Sequence, residues 1–221
     1  MDLEGSMMNK RRITVKSKGT FSQRPDLVTL TFDLQSRDYH YKKTMDIATA
    51  SIDELTSKIE ELGFDRKDLK TASFDINTDY KSYRDINDDY QRKFVGYLVN
   101  QKLKLSFDYD VKLLGSLLKG ISELSVKPEL AINFSVKDQK AVEETILMDA
   151  AENARRKAEI LAKASGAALG DLLIIDYDWS ELYIEPFHIE SSMLAKSEAL
   201  PEIEAEDVSA SDTVRFVWEL I

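Results

Sequence analysis

The stretch that decides the fold runs from Lys137 to Asp176 and reads KDQKAVEETILMDAAENARRKAEILAKASGAALGDLLIID. Asp138 is a good helix N-cap, because its carboxylate can accept a free backbone N–H. Gly166 supplies the left-handed residue at which many helices end. The pattern therefore predicts one long helix between these two residues, followed by a strand over 172–176.

Small side chains recur along one side of this helix. They are Ala150, Ala154, Ala158 and Ala162, with Leu147 and Leu161 on or beside the stripe. A face this small allows a helix to lie close against a sheet. The opposite side is basic and is expected to face solvent, with Arg155, Arg156, Lys157 and Lys163.

Composition narrows the class of protein. The chain has 221 residues, of which 43% are hydrophobic and 32% charged, as in an ordinary globular protein. No window approaches the roughly 20 apolar residues of a membrane span, so no transmembrane segment is expected. The net charge of −10 predicts no nucleic-acid partner, because a polyanion would repel this surface. The absence of cysteine excludes disulfides, thiol catalysis and zinc–thiolate sites.

Hydrophobic periodicity predicts the other elements. Strands are expected over 13–18, 27–35, 69–80, 94–107, 130–136 and 213–221, with a polar connection over 81–93. In the third of these strands, one side would carry Ala72, Phe74 and Ile76. The predicted fold class is α+β, with mixed or antiparallel sheets and about three helices packed on them.

The other two predicted helices differ in character. A short helix capped by Asp110 carries Leu113, Leu114, Leu117, Leu118, Ile121 and Leu124. A longer one ends at Gly63, and its apolar stripe is Met45, Ala48, Ile52, Leu55, Ile59 and Leu62. Core packing is the favoured role of that stripe, and a helix–helix contact between copies is the alternative.

The two ends and the acidic segment set the predicted domain organisation. Residues 1–12 are expected to be a tag or a flexible N-terminus, and residues 13–221 a single domain. Within that domain, an acidic loop is expected at about 179–207, and 191–206 is expected to be mobile or poorly packed.

In order and in residues, the chain resembles the SIMPL-domain family. Pro25-Asp26 and the alternating strand over 28–34 match its early strand and turn. The alanine helix over 150–158, continued through Gly166 and Gly170, is the more specific match. The tail also fits, with Pro201, then 208–210 and 214–220. The resemblance runs from about residue 13 to residue 221.

The resemblance implies a role but no chemistry. Bacterial members look exported or envelope-associated and linked to oxidative-stress defence, and some assemble into ring- or channel-like homo-oligomers. A vertebrate relative is associated with kinase signalling. The family has no established catalytic constellation to transfer. This sequence departs from the bacterial pattern in having no visible signal peptide. A periplasmic or envelope location is therefore expected if a leader was removed, and a cytoplasmic one otherwise.

The motifs for catalysis or metal binding are absent or broken, so no catalytic residue, cofactor or metal is predicted. No nucleophile elbow, phosphate-binding loop or dinucleotide fingerprint occurs. His40 and His188 are read as surface or packing residues. The run that starts at Asp85 imitates a calcium loop but has Tyr90 where glycine is required and Gly96 where a glutamate is required. An opportunistic hard-cation site on that loop stays open.

Aromatic residues interleaved with basic ones mark the candidate interface. From the end of the predicted third strand to the start of the fourth lie Tyr80, Tyr83, Tyr90, Phe94 and Tyr97. Stacking on single-stranded nucleic acid is one interpretation, but neighbouring aspartates offset the positive charge. A hairpin whose tyrosines contact protein fits better, since tyrosine is enriched at interfaces.

The sequence therefore favours a non-enzymatic, self-assembling SIMPL-type protein with a stress- or envelope-related role. Its expected partners are further copies of itself and, as a second option, another protein. The aromatic hairpin and the helix over 45–62 are the candidate assembly surfaces. The alternative function is a small-ligand or metal-binding module whose site lies beside the acidic loop around 185–206.

Overall fold

The computed structural model of the protein describes residues 11–84, 89–177, 184–185, 187–190 and 205–221. These residues form two antiparallel sheets and three helices, which confirms the predicted α+β class. In chain order the elements are β1 (Arg12–Gln23), β2 (Leu27–Asp38), α1 (Tyr41–Glu61), β3 (Leu69–Arg84), β4 (Tyr90–Asp108), α2 (Val111–Ser122), β5 (Glu129–Ser135), α3 (Gln139–Ala164), β6 (Leu169–Asp176), β7 (Ile184–Glu185), β8 (Phe187–Glu190) and β9 (Val208–Leu220). Among the described residues, no helix combines the length and apolar character that a membrane crossing needs.

The chain divides into two compact units. The first consists of Met1–Arg24, Val136–Pro186 and Glu206–Ile221, and the second of Pro25–Ser135 and Phe187–Ala205. Each unit has hydrophobic clusters of its own. The expectation of a single domain over 13–221 stays a prediction.

In the first unit, β9 is the central strand. It pairs antiparallel with β1 on one side, and with β6 and β7 on the other. Helix α3 packs mainly on β1 and β9 and only slightly on β6. The predicted alanine stripe is buried in this contact, with Val142 and Ile146 extending it toward the N-terminus. Leu147 is partly buried, but Leu161 is exposed and lies off the stripe.

The caps of α3 are the ones the sequence predicts. An Asp138 carboxylate oxygen accepts the backbone N–H of Ala141 at 2.9 Å. Gly166 takes a φ of +76°, a conformation that other residues resist. Asp149 in the middle of the helix accepts the backbone N–H of Thr20 at 2.9 Å and so ties α3 to β1.

Gly19 determines how closely α3 approaches β1. A Cβ at this position would overlap the carbonyl oxygen of Ile146 and lie 2.9 Å from the backbone nitrogen of Ala150. Both are backbone atoms, which cannot swing aside as a flexible side chain can. The alanine stripe on the helix and the glycine on the strand are therefore two halves of one close contact.

The second unit is a five-stranded sheet in the order β3-β4-β2-β5-β8. The alternating side chains of β2 that the sequence predicts are all buried, namely Val28, Leu30, Phe32 and Leu34. They meet apolar side chains of β4 and β5 and of helices α1 and α2 in one cluster. Asp110 caps α2 as predicted and accepts the N–H groups of Lys112 and Leu113.

The stripe of α1 belongs to this core. Ala48, Leu55 and Ile59 are buried, and Ile52 and Leu62 are partly buried against the cluster. The core interpretation of the stripe is confirmed, and these side chains are not available as an assembly surface.

Two expectations for the β3–β4 region are wrong. The polar connection over 81–93 is shorter, because β3 continues to Arg84 and β4 begins at Tyr90. Ala72 and Phe74, which the sequence predicts on one side of the strand with Ile76, are both exposed, and the register of pairing shifts between Thr71 and Ser73. Both differences arise because β3 is an edge strand, where backbone pairing needs no apolar alternation.

Part of the predicted acidic loop is paired. β7 contacts β9, and β8 adds to β5 through Phe187–Glu190. The expectation that 191–206 is mobile falls mostly outside the described residues, as does the predicted flexible segment at 1–12.

The close contact at Gly19 predicts a matched pair of glycine substitutions. Gly19→Ala should lower the free energy of unfolding by about 3 kcal/mol or more, at the upper end of overpacking costs, because backbone atoms must move apart. Gly115→Ala, in α2, has open space around the new Cβ and should raise it by about 0.5–1 kcal/mol through helix propensity. Urea unfolding of both variants measures the two changes. Equal stabilities would show that α3 does not rest on Gly19.

Candidate functional site

The candidate interface lies on a two-stranded arm of the second unit. β4 pairs with β2 only from Tyr97 onward, whereas it pairs with β3 from Tyr90. The strand segments before Tyr97 therefore form a hairpin that extends beyond β2. Residues 85–88 at its turn lie outside the described part of the chain.

Strand pairing places four of the five predicted aromatics together. Tyr80 lies opposite Phe94, and Arg84 lies opposite Tyr90. These pairs are on the same side of the ribbon, because residues 80 and 84 are an even number of positions apart. Tyr83 pairs with Gln91 and points to the other side. The structure thus separates Tyr83 from the remaining predicted residues.

A chain of ring contacts connects this side of the arm to the base of the hairpin. Phe94 contacts Tyr80 and Tyr97 edge to face, with ring centroids 5.7 and 5.4 Å apart. Tyr39 contacts Phe94 at 5.3 Å, and Tyr41 contacts Tyr97 at 5.3 Å. We call Tyr39, Tyr41, Tyr80, Tyr90, Phe94 and Tyr97 the aromatic face.

Sequence reasoning missed Tyr39 and Tyr41. Both are exposed and lie where β2 gives way to α1. The available signal was two tyrosines flanking His40 at a helix start, where polar residues are usual. Only the pairing of Asp38 with Tyr97 in the β2–β4 register brings them to the hairpin.

Two arginines lie among the rings. The Arg92 guanidinium is 4.9 Å from the centroid of Tyr80, and that of Arg84 is 4.7 Å from the centroid of Tyr90. Arg84 also donates a hydrogen bond to the Tyr90 hydroxyl at 3.0 Å. Such cation–π contacts hold exposed rings in defined positions without burying them.

Gly96 and Asp38 fix the base of the face. Gly96 has a φ of +143°, and a Cβ there would overlap the Asp38 carbonyl oxygen and lie 3.0 Å from the Cα of Tyr39. The Asp38 carboxylate accepts the backbone N–H of His40 at 2.9 Å and pairs with Lys43 at 3.0 Å. The first of these bonds, with help from Lys43, lowers the pKa of Asp38 from 3.8 to about 2.

The remaining candidate residues do not converge. His40 is exposed at the start of α1, with its ring against Tyr39. The backbone of His188 pairs with Asn133 in the second unit. Among the described residues, no group of three or more histidines and carboxylates is placed to hold a metal ion. Most of the alternative ligand site around 185–206, and most of the loop that starts at Asp85, fall outside those residues.

The lowered pKa of Asp38 predicts a pH-dependent stabilisation at the base of the aromatic face. In an Asp38→Asn variant, the amide oxygen would still accept the His40 N–H but would carry no charge. The stability difference between the wild type and this variant should therefore be full above about pH 4 and disappear as the pH falls toward 2. Urea unfolding across this pH range measures it. A difference that does not change with pH would show that the charge of Asp38 contributes nothing.

Comparisons with known proteins identify the family of the chain. The chain is 24% identical over 164 residues to the 26 kDa periplasmic immunogenic protein of Brucella abortus (strain S19). This alignment covers 74% of the chain and 65% of the relative, slightly less than two thirds of that protein. The family model described as "SIMPL: Protein of unknown function (DUF541)" matches residues 13–218. Since this match spans nearly all of the described fold, the chain belongs to the SIMPL family.

Proposed function

We propose that the protein is a non-enzymatic assembly protein whose copies contact one another through the aromatic face. The observation that carries the proposal is the exposed, pre-arranged set of rings on the arm. Tyr90 at its tip is 74% exposed, yet it is held by Arg84 through both its ring and its hydroxyl. A side chain already fixed in position loses little entropy when a partner covers it.

The chemistry of the face fits a protein partner. Tyrosine and arginine are the residues most enriched at the centre of protein interfaces. Both occur here on one side of a ribbon, in the alternation Tyr80, Arg92, Tyr90. The same residue types also suit single-stranded nucleic acid, but a chain of net charge −10 is a poor match for a polyanion.

The net charge by itself opposes a second copy as the partner. Two molecules of net charge −10 repel each other at long range. Arg84 and Arg92 add positive charge to the aromatic face, which reduces this repulsion when two copies meet there. Support for self-association over a foreign partner comes from the family resemblance, since some bacterial members form homo-oligomers.

The stress- or envelope-related part of the proposal rests on similarity. The Brucella relative is periplasmic by its name, and the family resemblance points to oxidative-stress defence. Nothing in the arm itself depends on the compartment, so the assembly proposal can be tested on purified protein.

Two single substitutions on opposite sides of the arm test the proposal. Tyr90→Asp puts a buried charge into the proposed interface and should reduce the assembled mass toward that of the 25.2 kDa chain. Tyr83→Asp adds the same charge at a similar distance from the turn but on the other side, and should leave the mass unchanged. Size-exclusion chromatography with light scattering over a concentration series measures both.

Circular dichroism of the two variants controls for folding, since both tyrosines are exposed. An unchanged mass for Tyr90→Asp would remove the aromatic face as the interface. A monomeric wild type at every concentration would overturn the assembly function itself.

A further inference from the structure

Among the described residues, the longest run of exposed apolar side chains lies in the first unit, far along the sequence from the arm. Leu172, Leu173, Ile174 and Ile175 are consecutive residues of β6, and each is between 42% and 57% exposed. β6 pairs only with β9 in the described part of the chain, so its outer edge has no strand beside it. An apolar edge strand of this kind pairs readily with another chain.

The opposite edge of the same sheet, strand β1, is complementary in charge to β6. β1 contains Arg12, Lys16 and Lys18 and no acidic residue, although the chain as a whole has net charge −10. β6 contains Asp171 and Asp176 and no basic residue. The outer edge of β1 is likewise without a neighbouring strand among the described residues. One edge is therefore basic and the other acidic.

The pairing of the central strand β9 shows which residues of the two edges lie at the same height, that is, at the same position along the strand direction. Val217 of β9 pairs with Thr14 on one side and Ile174 on the other. Arg215 pairs in the same way with Lys16 and Asp176. Because both edge strands are antiparallel to β9, they run parallel to each other. A second copy that continues the sheet at the same height places its Lys16 beside Asp176 of the first.

The apolar side chains match on the face that carries α3. Leu172 and Ile175 lie on this face, opposite Trp218 and Phe216. Next to β1, the same face has a groove of about 410 Å³ lined by Val15, Ile160 and Leu161, among others. Ile160 and Leu161 are 61% and 53% exposed. Copies joined edge to edge would bring the leucine and isoleucine of β6 into this groove.

We infer that the β6 edge of one copy binds the β1 edge of a second copy, as a parallel extension of the sheet. Charges meet on the face of the sheet opposite α3, and apolar groups meet on the face that α3 covers. The contact is head to tail, so a pair of copies still has one free β1 edge and one free β6 edge, and further copies can add. This inference rests on the proposed self-assembly but uses a different surface from the aromatic face.

Single-cysteine cross-linking tests the register directly, because the natural chain has no cysteine. Thr14→Cys and Ile174→Cys variants, mixed in equal amounts and oxidised, should give a disulfide-linked dimer on a non-reducing gel. In the proposed contact the two residues are neighbours at about 4.8 Å, within disulfide reach. Neither variant alone should cross-link, because in the proposed contact its cysteine lies beside an unsubstituted residue of the next copy and not beside a second cysteine.

The offset pair Thr20→Cys and Ile174→Cys is the matched control. Thr20 is six residues farther along β1, roughly 20 Å away at about 3.3 Å per residue, so this mixture should stay unlinked. Equal cross-linking of both mixtures would indicate random collision. A dimer of Ile174→Cys alone would indicate a symmetric β6–β6 contact. Either result, or no dimer from the Thr14 and Ile174 mixture, overturns the inference.

A second measurement separates this edge from the arm. The combined substitutions Leu172→Glu and Ile175→Glu should lower the assembled mass. Met148→Glu, at a more exposed apolar position on α3, should not. The expected loss occurs whether or not Tyr90→Asp has an effect. If the edge variant keeps the wild-type mass and Tyr90→Asp does not, the arm is the interface and the edge contact is wrong.

Discussion

The close packing of α3 on β1 is the contact on which the first unit depends. The small faces of the helix and of Gly19 allow backbone to approach backbone, which larger side chains would prevent. A Thr20 N–H bonded to Asp149 then holds the strand to the helix at this point. Larger apolar groups fill the space beside the stripe, where Phe216 stacks on Trp218 with ring centroids 5.4 Å apart. Dense packing of this kind tolerates little change in volume.

Much of the packing of α3 could be predicted from the sequence, because the residues that determine the ends and the buried side of this helix lie within it or next to it. Asp138 and Gly166 mark the ends of α3 by the preferences of single residues, and the alanines mark its buried side by spacing alone. The alternation of β2 is equally direct, since one of its faces is fully buried. When the burial of a residue depends only on its position within its own helix or strand, hydrophobic periodicity is sufficient to predict that burial.

The aromatic face shows where sequence reasoning stops. The hairpin tyrosines were visible as a cluster, but which of them share a side depends on the register, and the register shifts near Asp79 and Tyr80. A shift of one residue moves a side chain to the opposite face. Tyr39 and Tyr41 join the cluster only through long-range pairing of β2 with β4, which no local pattern encodes. The burial of Gln101 is likewise not encoded by a local pattern, because this polar residue takes a buried position in an alternation that is otherwise apolar.

The small side chains that let α3 lie close to β1 also limit how much of the sheet the helix covers. A helix that lies close to β1 and β9 shields those strands well but reaches β6 only at its margin. Leucine and isoleucine on β6 therefore stay in contact with water, at about 25 cal/mol for each Å² of apolar surface left exposed. Natural edge strands usually avoid this with charges, prolines or bulges. β6 has register shifts between Leu169 and Leu172 and between Leu172 and Ile174, but its apolar run between Asp171 and Asp176 is uninterrupted in sequence. Covering this run with another surface would remove it from water, and among the described residues the basic edge of β1 is the surface that we infer to do so.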